Sequence, residues 1–370
     1  MPPATPDRLP SPEAMRSVFR VYEVSEAEEG IHYYGDPLVD RERLVESVWP
    51  EFRAAGYEVR LERRLGEYVL VATPQGNDDG VPWTNVILAV ATVFSTLLVG
   101  TQWYYVEDLF SPAILQALPF TLAVMGVLGT HELGHYVLSR YYDVPASLPY
   151  FIPFPSIIGT MGAVIKVKGR IPNRRALFDI GVAGPLAGLV ATVVVTVIGL
   201  SLPPVQVPDW VMAAESTVEI QFNYPLLLQA IAAAMGQPLS YADPRLVVNP
   251  VVIGGWVGMF ITFLNLIPVG QLDGGHLLRA MVGPAQERIA PLVPLSLFGL
   301  AGGLYLLTDA GQMVTVWVIW GFMAMLAAWI GSASPVVDTP LDRRRQLLGV
   351  ATFVLGLLCF TPIPIEIIGL

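Results

Sequence analysis

His131 and His135 stand four residues apart in His131-Glu132-Leu133-Gly134-His135, at the end of a run, Leu109 to Thr130, that carries no charge. Residues four apart share one face of a helix, so the two imidazoles can hold a single metal ion together. Glu132 lies beside that face, where a carboxylate can take a proton from a metal-bound water. Ionisable groups inside a membrane segment are expensive and are rarely kept without a role. Three of them in one turn of such a segment therefore read as chemistry rather than packing. A zinc ion that does chemistry has three protein ligands and one open position for water. One cysteine, Cys359, excludes an internal disulfide and a cysteine-rich metal site, which leaves His, Asp or Glu.

The elements that must position these groups read as membrane helices. The chain has 370 residues, 54% hydrophobic and only 14% charged. A soluble domain is nearer half apolar and a quarter charged, so an integral membrane protein is expected. Formal net charge is −10, which bears on solubility rather than fold, and no nucleic-acid partner is expected. Seven apolar segments approach the ~20 residues that cross a bilayer: about 84–106, 113–140, 177–201, 249–268, 290–307, 312–331 and 347–362. The fifth and sixth are separated only by Thr308-Asp309-Ala310-Gly311, and Pro362 and Pro364 cut the seventh short.

Lys and Arg sit almost entirely in alternate connections, among them Arg140, Lys166, Lys168, Arg174, Arg175, Arg279, Arg288 and Arg343-Arg344-Arg345. That asymmetry puts the N-terminus in the cytoplasm and runs the second and fourth segments inward. Asp273, which follows the fourth segment, is the single acidic residue between Asp243 and Glu287. Orientation alone thus brings its carboxylate to the side where the two histidines lie.

Ahead of the membrane segments, residues 1–80 read as a small acidic α+β domain with its linker. Five prolines in residues 1–12 suggest a disordered lead-in. Val18 to Val24 is strand-like. Asp36-Pro37 reads as a helix start, followed by Leu44, Val45, Val48, Trp49 and Phe52 at helical spacing. Tyr57 to Arg63 and Glu67 to Ala72 flank Leu65-Gly66 as a hairpin, His32 reads as a surface residue, and Gly76 to Gly80 as a linker. No secretory leader is expected, since the first long apolar run starts after residue 80.

HExxH together with Asn265-Leu266-Ile267-Pro268-Val269-Gly270-Gln271-Leu272-Asp273-Gly274 resembles the site-2 protease family of intramembrane zinc metalloproteases. Gly159-Thr160-Met161-Gly162-Ala163 and Ala183-Gly184-Pro185-Leu186-Ala187-Gly188 extend the likeness, which covers about residues 113–280. The resemblance implies that residues 81–370 form a membrane-embedded metalloprotease domain. It implies one Zn²⁺ per chain held by His131, His135 and Asp273, with Glu132 as general base. Asn265 would then hydrogen-bond substrate or the developing oxyanion, or else join helices. The partners implied are the lipid bilayer and a transmembrane protein substrate, cut near the cytoplasmic side.

Phe151 to Ile158 is apolar but broken by Pro153 and Pro155, so a re-entrant loop after the second span is expected. Ala163 to Lys168 alternates like a strand with a free edge, and Gly159, Gly162, Val164 and Ile165 could clamp an unwound substrate there. Asp179 is expected to pair with Arg174 or Arg175, His276 to lie at a helix end on the surface, and Gly181 to Gly188 to serve close packing. Residues 225–231 are too short to span and could lie on the membrane or gate access. Two rival readings stand beside this one. One is a membrane zinc hydrolase of the prenyl-protein processing type, which takes a later Glu as third ligand. The other is a non-enzymatic scaffold or sensor.

Overall fold

In the computed structural model the described residues are 9–368 apart from 28, 65, 75–80, 214–218 and 309–310. The chain divides into two compact units, Met1–Val81 and Pro82–Leu370.

In the first unit β1 (Phe19–Ala27) and β2 (Gly30–Pro37) form one hairpin, and β3 (Tyr57–Arg64) and β4 (Glu67–Pro74) form another. Helix α1 (Arg41–Ala54) connects them, and the antiparallel sheet runs in the order β1-β2-β4-β3. The helical spacing of Leu44, Val45, Val48, Trp49 and Phe52 translates directly into burial of all five. Phe52 meets Tyr33 edge-on at 5.5 Å between ring centres. Strand β2 was not anticipated, because Gly30–Pro37 lacks clean alternation. Pro37 ends that strand, where its missing N–H is tolerated, and the helix begins only at Arg41. His32 is buried rather than superficial, because β2 is an inner strand that sets it between Ser25 and Val71. Pro10 is held as well, its carbonyl accepting from the Tyr33 hydroxyl at 3.2 Å. The linker at Gly76 to Gly80 falls outside the described residues.

The second unit is mostly helical. Helix α2 (Trp83–Trp103) is followed by a 3-10 turn (Pro112–Ala117) that leads into α3 (Leu118–Tyr141). The hairpin β5 (Tyr150–Pro153) and β6 (Thr160–Val164) precedes α4 (Arg174–Ser201). The long connection after α4 holds β7 (Val205–Gln206), α5 (Asp209–Met212), β8 (Glu219–Phe222), α6 (Leu226–Met235) and β9 (Leu246–Val247). Then come α7 (Pro250–Asn265), α8 (Asp273–Val282), α9 (Gln286–Ile289), α10 (Leu292–Leu307), α11 (Gly311–Ile330), α12 (Arg343–Leu358) and β10 (Ile365–Ile368).

Helices α3, α4 and α7 pack on one another, and α8 lies against α4. Their shared core includes Phe120, Val124 and Leu128 of α3, Leu189 and Leu200 of α4, and Val252, Trp256 and Met259 of α7. Gly255 faces Thr196 and Gly258 faces Thr192, so the backbones of α4 and α7 approach closely. Helix α6 does not stand apart: Leu228 and Ala232 are fully buried in the same core.

Helices form at all seven apolar segments, yet among the described residues only three are long and apolar enough to cross a membrane: α2, α3 with its leading turn, and α4. The pair Asp273–Ile289 and Leu292–Leu307, bent by 66°, would make a fourth as one broken span. Helix α7 has just 16 residues because Pro268 forbids its continuation, and an irregular turn carries the chain to α8. Leu266, Ile267 and Val269 in that turn are buried, so its irregular backbone is sheltered by protein.

The positively charged ends meet. Arg174 at the start of α4 and Arg279 on α8 both pair with Asp338, while Arg345 on α12 pairs with Asp179 at 2.7 Å. Asp179 therefore takes neither Arg174 nor Arg175. Its partners are Arg345 and the Tyr142 hydroxyl, since Asp338 already occupies Arg174. The strand expected at 163–168 lies earlier, at Thr160–Val164. Past it the chain is joined to 145–147 by single contacts, among them Ser147 N–H to Lys166 O at 2.9 Å.

Phe52→Ala is expected to cost the first unit about 3–5 kcal/mol. Hydrogen exchange should accelerate across β1–β4 and leave α3 and α4 unchanged, and equal acceleration in both units would contradict two independent cores.

Candidate metal centre

His131 and His135 project from consecutive turns of α3 and are buried, at 3% and 6% exposed. Asp273 is the first residue of α8, where the helix N-terminus favours a carboxylate. Its Oδ2 lies 3.1 Å from Nε2 of each histidine, and the two Nε2 atoms are 3.2 Å apart. One atom from each residue thus converges on one point. Ligand bonds of 2.0–2.1 Å in a tetrahedron leave edges of about 3.3 Å, close to the three observed.

Hydrogen bonding alone does not account for this arrangement. Nε2 of His131 has three polar neighbours, His135, Asp273 and the Asn265 amide, at 3.1–3.3 Å. An imidazole nitrogen has one proton or one lone pair to offer, so it can satisfy one of the three. A cation among them satisfies the histidines and Asp273 together. His135 is prepared for that role, because its Nδ1 lies 2.8 Å from the Ile180 carbonyl. A proton on Nδ1 leaves the Nε2 lone pair free for metal.

Helix α4 makes the room. A Cβ at Gly184 would lie 2.0 Å from Nε2 of His135, and one at Gly188 would lie 2.9 Å from Nδ1 of His131. Both positions must stay without a side chain if the rings are to lie between α3 and α4. On the other flank, Gly274 and Gly275 sit against the backbone of Leu266 to Gly270, which seats the start of α8 and with it Asp273. Glu132 is 5% exposed, its Oε1 is 4.0 Å from Nε2 of His131, and the backbone N–H of Ile165 hydrogen-bonds its carboxylate.

The remaining residues singled out from the sequence fall in different places. Asn265, the last residue of α7, reaches the centre through Nδ2, 3.3 Å from His131. Ile165 touches it through the backbone. Gly159 does not: it sits at positive φ in the hairpin turn, its carbonyl accepting from Ser95 of α2 at 2.5 Å. Gly162 and Val164 are on β6, and Val164 is half exposed. His276 lies in the first turn of α8 and is half-buried, and the Ala333 N–H donates to its Nδ1 at 3.3 Å. The third member of the cluster is Asp273 and not a later Glu. The Ile180 carbonyl was not foreseen, since a backbone acceptor leaves no mark in side-chain types. The fit of Gly184 and Gly188 to the imidazoles goes beyond the close helix packing that their sequence pattern implies.

Gly184→Ala is expected to displace the His135 ring and lower metal affinity by at least about tenfold. Gly181→Ala is the control, because its Cβ would meet nothing nearer than 3.5 Å. Equal metal affinities in the two variants, read by chelator competition, would count against this packing role.

The sequence profile of Peptidase family M50 matches residues 119–301. A protein named a probable chloroplastic zinc metalloprotease EGY1, from Arabidopsis thaliana, is 37% identical over 180 residues, 48% of this chain and 32% of that protein. The probable zinc metalloprotease EGY2 of Oryza sativa subsp. indica is 29% identical over 245 residues, 66% of this chain and 42% of its own. The probable zinc metallopeptidase EGY3 of Arabidopsis thaliana is 28% identical over 297 residues, 75% and 48% of the two chains. The aligned part thus spans between 32% and 48% of these relatives' length. No solved structure matches the chain. The matched stretch contains the histidine pair of α3, the glycines of α4 and the Asp273 turn, and this part of the chain belongs to peptidase family M50.

Proposed function

We propose that this chain is an intramembrane zinc metalloprotease that hydrolyses a peptide bond within or beside a transmembrane segment of a membrane-protein substrate. The observation that carries the reading is the triangle of His131, His135 and Asp273, with edges of 3.1–3.2 Å and a buried carboxylate, Glu132, beside it. A zinc ion held there by His131, His135 and Asp273 would supply Lewis acidity and activate water near neutral pH. The two imidazoles are neutral ligands, so Asp273 offsets half the charge of the ion in a low-dielectric place.

Glu132 serves as the base: it takes a proton from water and returns it to the leaving amine. The Ile165 N–H fixes the orientation of that carboxylate. The Asn265 amide, released once the Nε2 lone pair of His131 is engaged as a ligand, is placed to donate to the substrate carbonyl or its developing oxyanion. This favours the substrate role of Asn265 over a link between helices.

A membrane-spanning substrate buries its own peptide groups in helical hydrogen bonds, so it must unwind before it can be cut. Strand β6 is paired on one side only among the described residues, with Met161 and Val164 exposed. We assign that free edge to the unwound segment, which adds to it as a further strand. The turn at Gly159 anchors the hairpin to α2, and Gly162, Val164 and Ile165 carry the edge toward Glu132.

The same reading keeps the N-terminal unit, residues 1–80, on the cytoplasmic side of a cell membrane, with the hairpin re-entering the bilayer from that side. Its support is the joining of Arg174, Arg279 and Arg345 through Asp338 and Asp179 at one end of the helices. Ile180, which orients His135, is six residues into α4 from Arg174, or about 9 Å along the axis. On this reading the centre lies below the lipid surface, near the cytoplasmic face.

Two outcomes follow for the full-length protein reconstituted with a membrane-spanning substrate. Glu132→Gln should keep one zinc per chain and lose at least about 10²-fold in cleavage rate. Activity near that of the parent would remove Glu132 as base. Val164→Pro should stop cleavage while zinc content is unchanged, and continued cleavage would remove the edge strand from the mechanism.

A further inference from the structure

The segment between α11 and α12 crosses the helix ends beside the metal centre. The Gly331 carbonyl accepts from Nε2 of Gln271 at 2.5 Å, and the Ala333 N–H donates to His276 at 3.3 Å. These contacts lie two residues before and three after Asp273. Farther on, the amides of Val336 and Val337 donate to the carbonyls of Ile171 and Pro172 at 2.9 and 3.0 Å. Val337 also forms a parallel bridge with Asn173, immediately ahead of α4. One short segment therefore holds α8 on one side and the start of α4 on the other.

Asp338 closes this strap. Its Oδ1 accepts from Nε of Arg174, the first residue of α4, and its Oδ2 is 3.4 Å from both terminal nitrogens of Arg279 on α8. Arg174 and Arg279 are 9% and 7% exposed. A buried guanidinium stripped of its counter-charge is strongly unfavourable, and among the described residues Asp338 is the carboxylate paired with both. Burial would raise the Asp338 carboxyl, but the bond from Arg174 and the charge of Arg279 hold it below the usual carboxylate range. It is therefore ionised at neutral pH.

Helix α4 carries the Ile180 carbonyl and the two glycines that seat the histidine rings, while α8 carries Asp273. The distance from Asp273 to the histidines is thus set by the register of α8 on α4. We propose that Asp338 is a positioning residue for the third metal ligand: by joining Arg174 to Arg279 it locks α8 to the start of α4 and sets the reach of Asp273. The proposal rests on the metal-site reading given above. It extends that reading to a carboxylate 65 residues farther along the chain that does not touch the metal, substrate or reacting atoms.

The test is the zinc dissociation constant of the full-length protein in nanodiscs, by chelator competition, alongside melting of the metal-free protein. Asp338→Asn, which removes the charge at constant size, should weaken zinc binding about 10–100-fold, as loss of a ligand's support does. Metal-free melting should fall as well, since two buried guanidinium groups lose their counter-charge, whereas Asp338→Glu should recover most of the zinc affinity. Asp342→Asn, in the same segment but paired with Arg345, should bind zinc within about twofold of the parent. Parental affinity in Asp338→Asn overturns the proposal. So does a loss of affinity that Asp338→Glu does not recover. If Asp338→Asn does not fold, Arg279→Lys decides: a loss of at least about threefold supports the lock, since Lys cannot reproduce the guanidinium fork, and parental affinity overturns it. Asp273→Ala separates the two levels. Parental affinity there removes the metal-site reading itself, whereas loss there with parental affinity in Asp338→Asn removes only the lock.

Discussion

Two imidazole nitrogens and a carboxylate oxygen, mutually 3.1–3.2 Å apart, are three electron-rich atoms crowded on one point. Without a positive charge between them they lack hydrogens enough to satisfy each other. The packing of the membrane unit keeps them there all the same. Helix α3 presents two rings on one face, α4 leaves two side chains out to admit them, and α8 begins at the residue that completes the set. Each helix is held by buried contacts whose replacement would cost several kcal/mol, so the energy that assembles the core also compresses the site.

What the sequence disclosed about this centre follows from how local its signals are. His131 and His135 meet because a helix has a fixed pitch, which makes their pairing readable from spacing alone. Asp273 is 138 residues from His135, and no periodicity joins them. The asymmetry of Lys and Arg put both on one side of the membrane, and the NxxP segment supplied the turn that ends α7 and begins α8. The amphipathic helix α1 and the hairpin after it were legible for the same local reason. Strand β2 was not, because an inner strand draws its partners from both neighbours and need not alternate. His32, on that inner strand, is buried for the same reason.

Side-chain partners across the fold were least legible. Asp179 has Arg174 and Arg175 close in sequence, yet it pairs with Arg345, and Arg174 turns to Asp338. Nearness along a helix favours pairs three or four residues apart, but the gain is only a few tenths of a kcal/mol. Burial of the guanidinium of Arg174 outweighs it, because a buried charge must have a partner of good geometry. The choice is made by tertiary packing, and the sequence records only which charges are available.

The irregular turn from Leu266 to Leu272 shows why the centre takes this form in an apolar setting. A continuous helix through this depth would satisfy its own backbone, but it could not aim a side chain at its own N-terminus. Breaking the helix at Pro268 frees peptide groups that lipid cannot solvate, and burial of Leu266, Ile267 and Val269 keeps lipid away from them. The break in return creates a new helix start, whose aligned amides favour a carboxylate at its first position, where Asp273 stands. The carboxylate is thus stabilised by the same interruption that delivers it to the histidines. The site and the shortness of α7 are one structural decision.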